Sequence, residues 1–314
     1  MRLAILAVAL VLVASAPASQ TGGTPVALVT AEQQNQVLAV ELPSGKILRR
    51  VIVPKGPHSV AVGRGAIVAV SPSAGTVTLL NPRTLNVLKI IGGFGSPHIV
   101  AVGPGGGLAY VTDDARGTLN VIGLGPRRVV SRIYVGAGAH HLTIGSGGRR
   151  AWIALGEHAH EIAIVSLASP SRPRLLRRFA PGFLAHDVTF TPDARRVWVT
   201  SGVGDSIYAL DPRTGKRVFA VRVGAAPHHV VFNGNFAFAT SGNSNRIAKI
   251  NLSTGHVVAN ATVPHGSYNV SSEAGLVVTS SLLEGRVTEF DTNLRRLMSV
   301  RVARAARGVA VTIW

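Results

Sequence analysis

Apolar residues along this chain come in short runs rich in Val, Ile, Ala and aromatic side chains, cut by Gly, Pro, Asn and Asp. One set of runs reads "LAYVTDD", "AWIALGE", "VWVTSG", "FAFATSG" and "LVVTSS". Each is followed, after a polar loop, by a run such as "GTVTLLN", "GTLNVIG", "DSIYALD", "NRIAKIN" or "GRVTEFD". A tight turn ("DPRTGK" at 211, "LSTGH" at 252) then leads to a run such as "RVFAVRVG". Runs of this length, composition and punctuation predict β-strands joined by turns, with no helical period.

A further run completes the unit and fixes its period. "PHSVAV" at 57, "PHIVAV" at 97, "AHHLTI" at 139, "AHDVTF" at 185 and "PHHVVF" at 227 are versions of one motif. Anchored on its histidine, the series runs His58, His98, His140, His186 and His228, then Tyr268 in "GSYNVSS" and Arg307 in "AARGVAV". The spacings are 40, 42, 46, 42, 40 and 39 residues. Four strands in roughly 42 residues is the signature of a β-propeller blade.

The ends sharpen the prediction. The first unit opens at "VALVT" (26 to 30), equivalent to "LAYVT", and lacks its first strand; "GVAVTIW" from Gly308 is a first strand with nothing after it. The C-terminal strand is therefore expected to complete the N-terminal blade, which removes an open sheet edge. The expected fold is all-β: a seven-bladed propeller of four antiparallel strands per blade, occupying 19–314 as a single domain.

"GSPHIVAVGPGGGLAYVTDDARGTLNVIGL" (95 to 124) resembles the YVTN-type β-propeller repeat, with Tyr110-Val111-Thr112-Asp113 at the position of its namesake tetrapeptide. "SGVGDSIYALDPRTGKRVFAVRVG" (201 to 224) is similar to the rest of such a blade, and the likeness extends from about Thr24 to Trp314. The resemblance implies the propeller fold. It leaves function open, because such propellers include surface-layer and adhesion-like proteins, binding modules and a few enzymes. WD-repeat proteins are less similar: the Trp-Asp pair is missing.

The first residues alter the address. "MRLAILAVALVLVASAPASQ" has one Arg, an apolar run from Leu3 to Val13 and small residues after it, the layout of a secretory signal peptide, with Ala16-Pro17-Ala18 suggesting cleavage after Ala18. The run is short of the roughly 20 apolar residues that span a bilayer. The expected product is secreted, periplasmic or held in the cell envelope, not transmembrane, and monomeric. With no cysteine, neither disulfides nor thiol chemistry can contribute.

Charge narrows the partners. The formal net charge is +18, and Lys and Arg together number 32; such a surplus favours anionic neighbours where it clusters on one face. The pairs Arg149-Arg150, Arg195-Arg196, Arg127-Arg128 and Arg295-Arg296 fall in turns on the face opposite the anchor histidines. Only 16 aromatic residues occur (Trp 3, Tyr 4, Phe 9), most alternating within strands, so a base-stacking platform for nucleic acid is not expected. A small polar ligand, a protein or a cell-envelope polymer is the expected partner.

In a propeller, the connection entering each first strand lies on the same face as the loop between strands two and three. The anchor residues His58, His98, His140, His186, His228, Tyr268 and Arg307 should therefore ring the mouth of the central channel. Three uses compete: a repeated fastening between blades, a ring gripping a polar or anionic ligand, or a site for a divalent transition metal. "GEHAHE" (156 to 161) lies on the same face, where Glu157, His158, His160 and Glu161 are candidate metal ligands, both histidines leaving one side of an extended backbone.

No Gly-x-Ser-x-Gly elbow, phosphate loop, thiol nucleophile or His-Glu-x-x-His helix is present. Some propeller lyases and lactonases similar to this chain carry Pro-His-Gly-type repeats and use a channel-mouth histidine beside a metal. Here Ser59, Ile99 or His229 stands in place of that Gly. If chemistry occurs, His140 or His228 is the candidate general base, with Glu157 or Asp187 helping to hold a cation.

Overall fold

A computed structural model describes residues 23–314; the segment 1–18, expected to be a signal peptide, lies outside them. Seven four-stranded antiparallel sheets follow one another along the chain. Blade one pairs Ala306–Ile313 with Pro25–Ala31, Gln36–Glu41 and Ile47–Ile52. Blades two to seven begin with the first strands Ser59–Val62, Pro97–Val102, Ala139–Ile144, Val188–Phe190, Val230–Asn233 and Asn269–Glu273, each running outward through three more strands.

The ring closes as the sequence predicts. Val29, Leu28 and Ala27 pair with Val309, Ala310 and Val311, so the two ends of the described chain share one sheet. Three short 3-10 turns, at Glu32–Gln34, Pro72–Ala74 and Gly242–Ser244, are the helical elements of the described residues. Among these residues no helix is long and apolar enough to cross a membrane.

Burial follows strand position. The second and third strands read as continuous apolar runs because both faces of each blade pack on neighbouring blades; Ile67–Ser71 is buried throughout. The core is accordingly a set of inter-blade clusters, one of which joins Val68, Val70 and Leu79 of blade two to Val100, Val111 and Ile122 of blade three. Fourth strands face solvent on the rim: Arg49, Arg50, Arg177 and Arg178 are exposed there, where charge discourages edge pairing.

The turns between strands three and four explain their own sequences. Asp211 Oδ1 accepts from the backbone N–H groups of Arg213 and Thr214 at 2.8 and 2.9 Å. Asn81 and Asn251 do the same in blades two and six. The side chain thus replaces a backbone acceptor and fixes the turn. Gly215 and Gly255 follow in the left-handed region, with φ of +75° and +68°. These turns and those between strands one and two lie on the face away from the anchors, and they carry the four arginine pairs.

Candidate metal centre at the channel mouth

Most first strands enter their blades through a bulge, blade seven excepted: there Asn269 to Glu273 pair in unbroken register and Tyr268 N–H donates to Gly266 O at 3.0 Å. His228 N donates to Thr240 O at 2.8 Å, while Thr240 N donates to His229 O at 3.0 Å, so two residues oppose one. His186 and Asp187 oppose Thr200 in the same way. The register of blades three and four shifts between Pro97 and Val100 and between Ala139 and Leu142. A bulge re-aims side chains next to a site; this one lets adjacent residues both reach the channel instead of alternating across the sheet.

The consequence is a crowded histidine cluster. All seven predicted mouth residues, His58, His98, His140, His186, His228, Tyr268 and Arg307, line one cavity of about 320 Å³, joined there by His141, His229 and Glu157. The rings form a continuous series: His58 to His98 at 4.3 Å between centroids, His98 to His140 at 3.6 Å, His141 to His186 at 4.4 Å and His141 to His229 at 4.9 Å. His228 continues it to Tyr268 at 4.7 Å. At the far side Arg307 pairs with Glu32 at 3.1 Å, and Tyr268 donates its hydroxyl to Asn243 Oδ1 at 2.8 Å.

Fastening between blades falls chiefly to another residue. Thr30, Thr112 and Thr200, at the end of second strands, donate their hydroxyls to the carbonyls of the next blade's anchors, His58, His140 and His228, at 2.9, 2.5 and 2.7 Å. Thr240 and Ser280 do the same toward Tyr268 and Arg307. In blade two the equivalent residue is Val70, and there the His58 ring takes over: its Nδ1 lies 3.1 Å from the His98 carbonyl. Most of the imidazoles are thereby released from holding the blades together.

Several rings are oriented through Nδ1, leaving Nε2 toward the cavity. His140 Nδ1 lies 3.1 Å from Asp114 Oδ2, His186 Nδ1 2.9 Å from the Glu157 carbonyl, and His229 Nδ1 3.3 Å from Asp187 Oδ2. Asp187 is itself held, accepting from the Thr189 hydroxyl at 3.2 Å. A carboxylate behind a histidine fixes its tautomer and strengthens it as a metal ligand. Three ring nitrogens in the cluster, His58 Nε2, His141 Nδ1 and His228 Nδ1, are buried without a hydrogen-bond partner among the described residues. Such atoms are costly unless a ligand satisfies them.

The electrostatics favour neutral rings. Burial, reinforced by the neighbouring Arg307, holds His58 well below its usual range, and burial with neighbouring histidines does the same to His98 and His141. His186 is lowered to about 4 by burial and by His229; His228 falls to about 3 by burial and by His186. Neutral imidazoles keep the lone pair that a metal needs. They are poor proton acceptors, which weighs against His228 as a general base.

Two groups of three bring their ligand atoms within 4.8 Å of one another: His98, His140 and His141, and His141, His186 and His229. The sequence motif at 156 to 161 contributes differently. A turn at Glu157 and His158 replaces the expected extended backbone, and Ala159, bridged to Ala185, is buried between exposed His158 and His160. His158 lies 6.5 Å from the His186 ring. Neither it, His160, Glu157 nor Glu161 belongs to a converging group among the described residues.

Sequence reasoning passed over His141 and His229 as ligands. Their signal was the doubled histidine in "AHHLTI" and "PHHVVF", unreadable without the bulge, because regular alternation would send one of each pair away from the channel.

No protein-family profile and no curated protein matches this sequence. Solved structures match its fold. A functionally unknown protein from Desulfotomaculum acetoxidans superposes with a TM-score of 0.81 at 15% identity, covering 91% of this chain and 98% of that one. Hydrazine synthase from Kuenenia stuttgartiensis gives 0.75 at 15% identity over 85% and 92%. Apo AztD from Citrobacter koseri gives 0.71 at 11% identity over 93% and 98%. At such identities the likeness speaks for the seven-bladed propeller alone.

Proposed function

We propose that this protein is an exported propeller of the YVTN type that binds a divalent transition-metal ion at its histidine-lined channel mouth. The observation that carries the reading is the convergence of His141, His186 and His229 within 4.8 Å, with Asp187 behind His229. Imidazole donors suit zinc, copper and nickel. Three nitrogens with a fourth position open leave room for water, a small polar ligand or a partner's donor.

At separations of up to 4.8 Å, the ring nitrogens stand wider than a bound ion would hold them. Metal–nitrogen bonds of about 2.0–2.1 Å place tetrahedral nitrogens roughly 3.4 Å apart, so binding closes the rings by about an ångström. The buried, neutral rings of His141 and His186 and the unpartnered His141 Nδ1 make that closure favourable.

Elemental analysis of the mature protein, purified without chelator or histidine tag, tests the reading. One transition metal per chain, lost in H141A/H229A, is the expected result. An intact, folded protein that takes up no zinc, copper or nickel would overturn it and return the mouth to an organic ligand.

A further inference from the structure

The two converging triads are not independent. Both contain His141, and each adds a histidine backed by a carboxylate: His140 by Asp114 in one, His229 by Asp187 in the other. His141 stands between them with its ring buried, its Nδ1 unpartnered, and neighbours on either side: His140 at 4.7 Å and His186 at 4.4 Å between centroids. The backing carboxylates differ. The Asp114 side chain is 38% exposed and the Asp187 side chain 9%, whereas the His140 and His229 side chains they back are 10% and 17% exposed; the triads are named outer and inner after their carboxylates alone.

A neutral imidazole has one N–H and one lone pair, so it ligates one metal at a time. With His141 shared, filling either triad takes a ligand from the other. We propose that the triads are two seats for a single transition-metal ion, which passes between an outer seat (His98, His140, His141) and an inner seat (His141, His186, His229) with His141 as the retained ligand. This rests on the metal reading above and deepens it: one ion is exchanged between two seats that share a ligand. Keeping His141 bound throughout lets the ion change partners one at a time, without returning to water.

Cobalt(II) titration of the full chain, read by its visible absorption, tests the proposal. The unsubstituted protein is expected to bind one equivalent. H98Q, which removes an outer ligand, and H229Q, which removes an inner one, each retain one equivalent with different spectra, and the unsubstituted spectrum is a weighted sum of the two. H141Q weakens both seats. Simultaneous binding of two equivalents overturns the sharing of His141. So does loss of the ion in one of H98Q and H229Q while the other keeps the unsubstituted spectrum, which means a single seat.

Failure of the unsubstituted protein to bind cobalt overturns the metal reading itself and is a separate outcome. Should a variant not fold, cadmium NMR of the unsubstituted protein decides: two resonances, or one broadened by exchange on cooling, are expected. A single resonance of temperature-independent width contradicts the two seats.

Discussion

Two arcs of the channel mouth share one backbone and differ in chemistry. Blades two to six present histidine at the anchor, and two of them double it, giving His141 and His229. Blades seven and one present Tyr268-Asn269 and Arg307-Gly308 at the equivalent positions. The fastening is common to both: Thr112 holds the His140 carbonyl much as Ser280 holds that of Arg307. The scaffold is therefore indifferent to the anchor side chain, and the histidines are free to serve another purpose.

The limit of that indifference is also visible. At Gly308, a Cβ would sit 2.5 Å from the His58 carbonyl oxygen, while its N–H donates to Thr30 Oγ1 at 2.7 Å. A histidine pair cannot occupy blade one without displacing the His58 carbonyl that Thr30 fastens across to blade two. The histidine arc stops where the ring closes.

The largest expected effect removes the closure on which both arcs depend. Deleting the residues from Gly308 strips the inner strand from Pro25–Ala31 and exposes Leu28 and Val29, both fully buried in the intact ring. A loss comparable to the whole stability margin, on the order of 5–15 kcal/mol, is expected, measured as thermal unfolding and as self-association by light scattering. An unchanged melting temperature and monomer state would contradict the closure.

Next in size are changes within the histidine arc. D187N keeps the shape of the side chain but removes the charge behind His229, and metal affinity should fall about 10–100-fold, read by competition with a chelating dye. Y268F on the other arc should leave affinity unchanged, since its hydroxyl is occupied by Asn243. Equal losses in both would erase the distinction between the arcs.

Acid should act on the same arc in the metal-free protein. His186 and His228 titrate near 6.5 when unfolded but are held to about 4 and about 3 when folded. Between those limits the unfolded chain binds more protons, so stability falls with falling pH. Their contribution is complete above about pH 6.5 and drains away as the pH drops through 4 toward 3. Urea unfolding at a series of pH values measures it, and H186Q/H228Q should flatten the profile.

A smaller effect separates fastening from chemistry. T112V and T200V each remove an inter-blade hydroxyl bond and the acceptor of the Ile99 or Asp187 N–H, a loss of about 1–3 kcal/mol, with metal stoichiometry intact. Smallest of all, H158A/H160A is expected to leave metal content unchanged, because these exposed side chains stand outside both triads; loss of metal in that variant would move the site to the 156–161 loop.

Much of this molecule was legible in the order of its residues. Strand type, blade count and ring closure follow from local alternation, turn chemistry such as Asp211 with Gly215, and a repeat whose incomplete ends complement each other. These properties depend on near neighbours and period, which a chain carries in one dimension. The same period correctly gathered His58, His98, His140, His186 and His228 at one mouth.

What only the tertiary structure decided is which histidines meet and what holds them. Convergence of His141 with His229 depends on bulges that change the direction of a side chain by one register step. Support for His229 by Asp187, and for His140 by Asp114, comes from residues of neighbouring blades whose distance in sequence says nothing of their distance in space. The burial that keeps His141 and His186 neutral is likewise a property of the closed ring of blades, which no single repeat possesses.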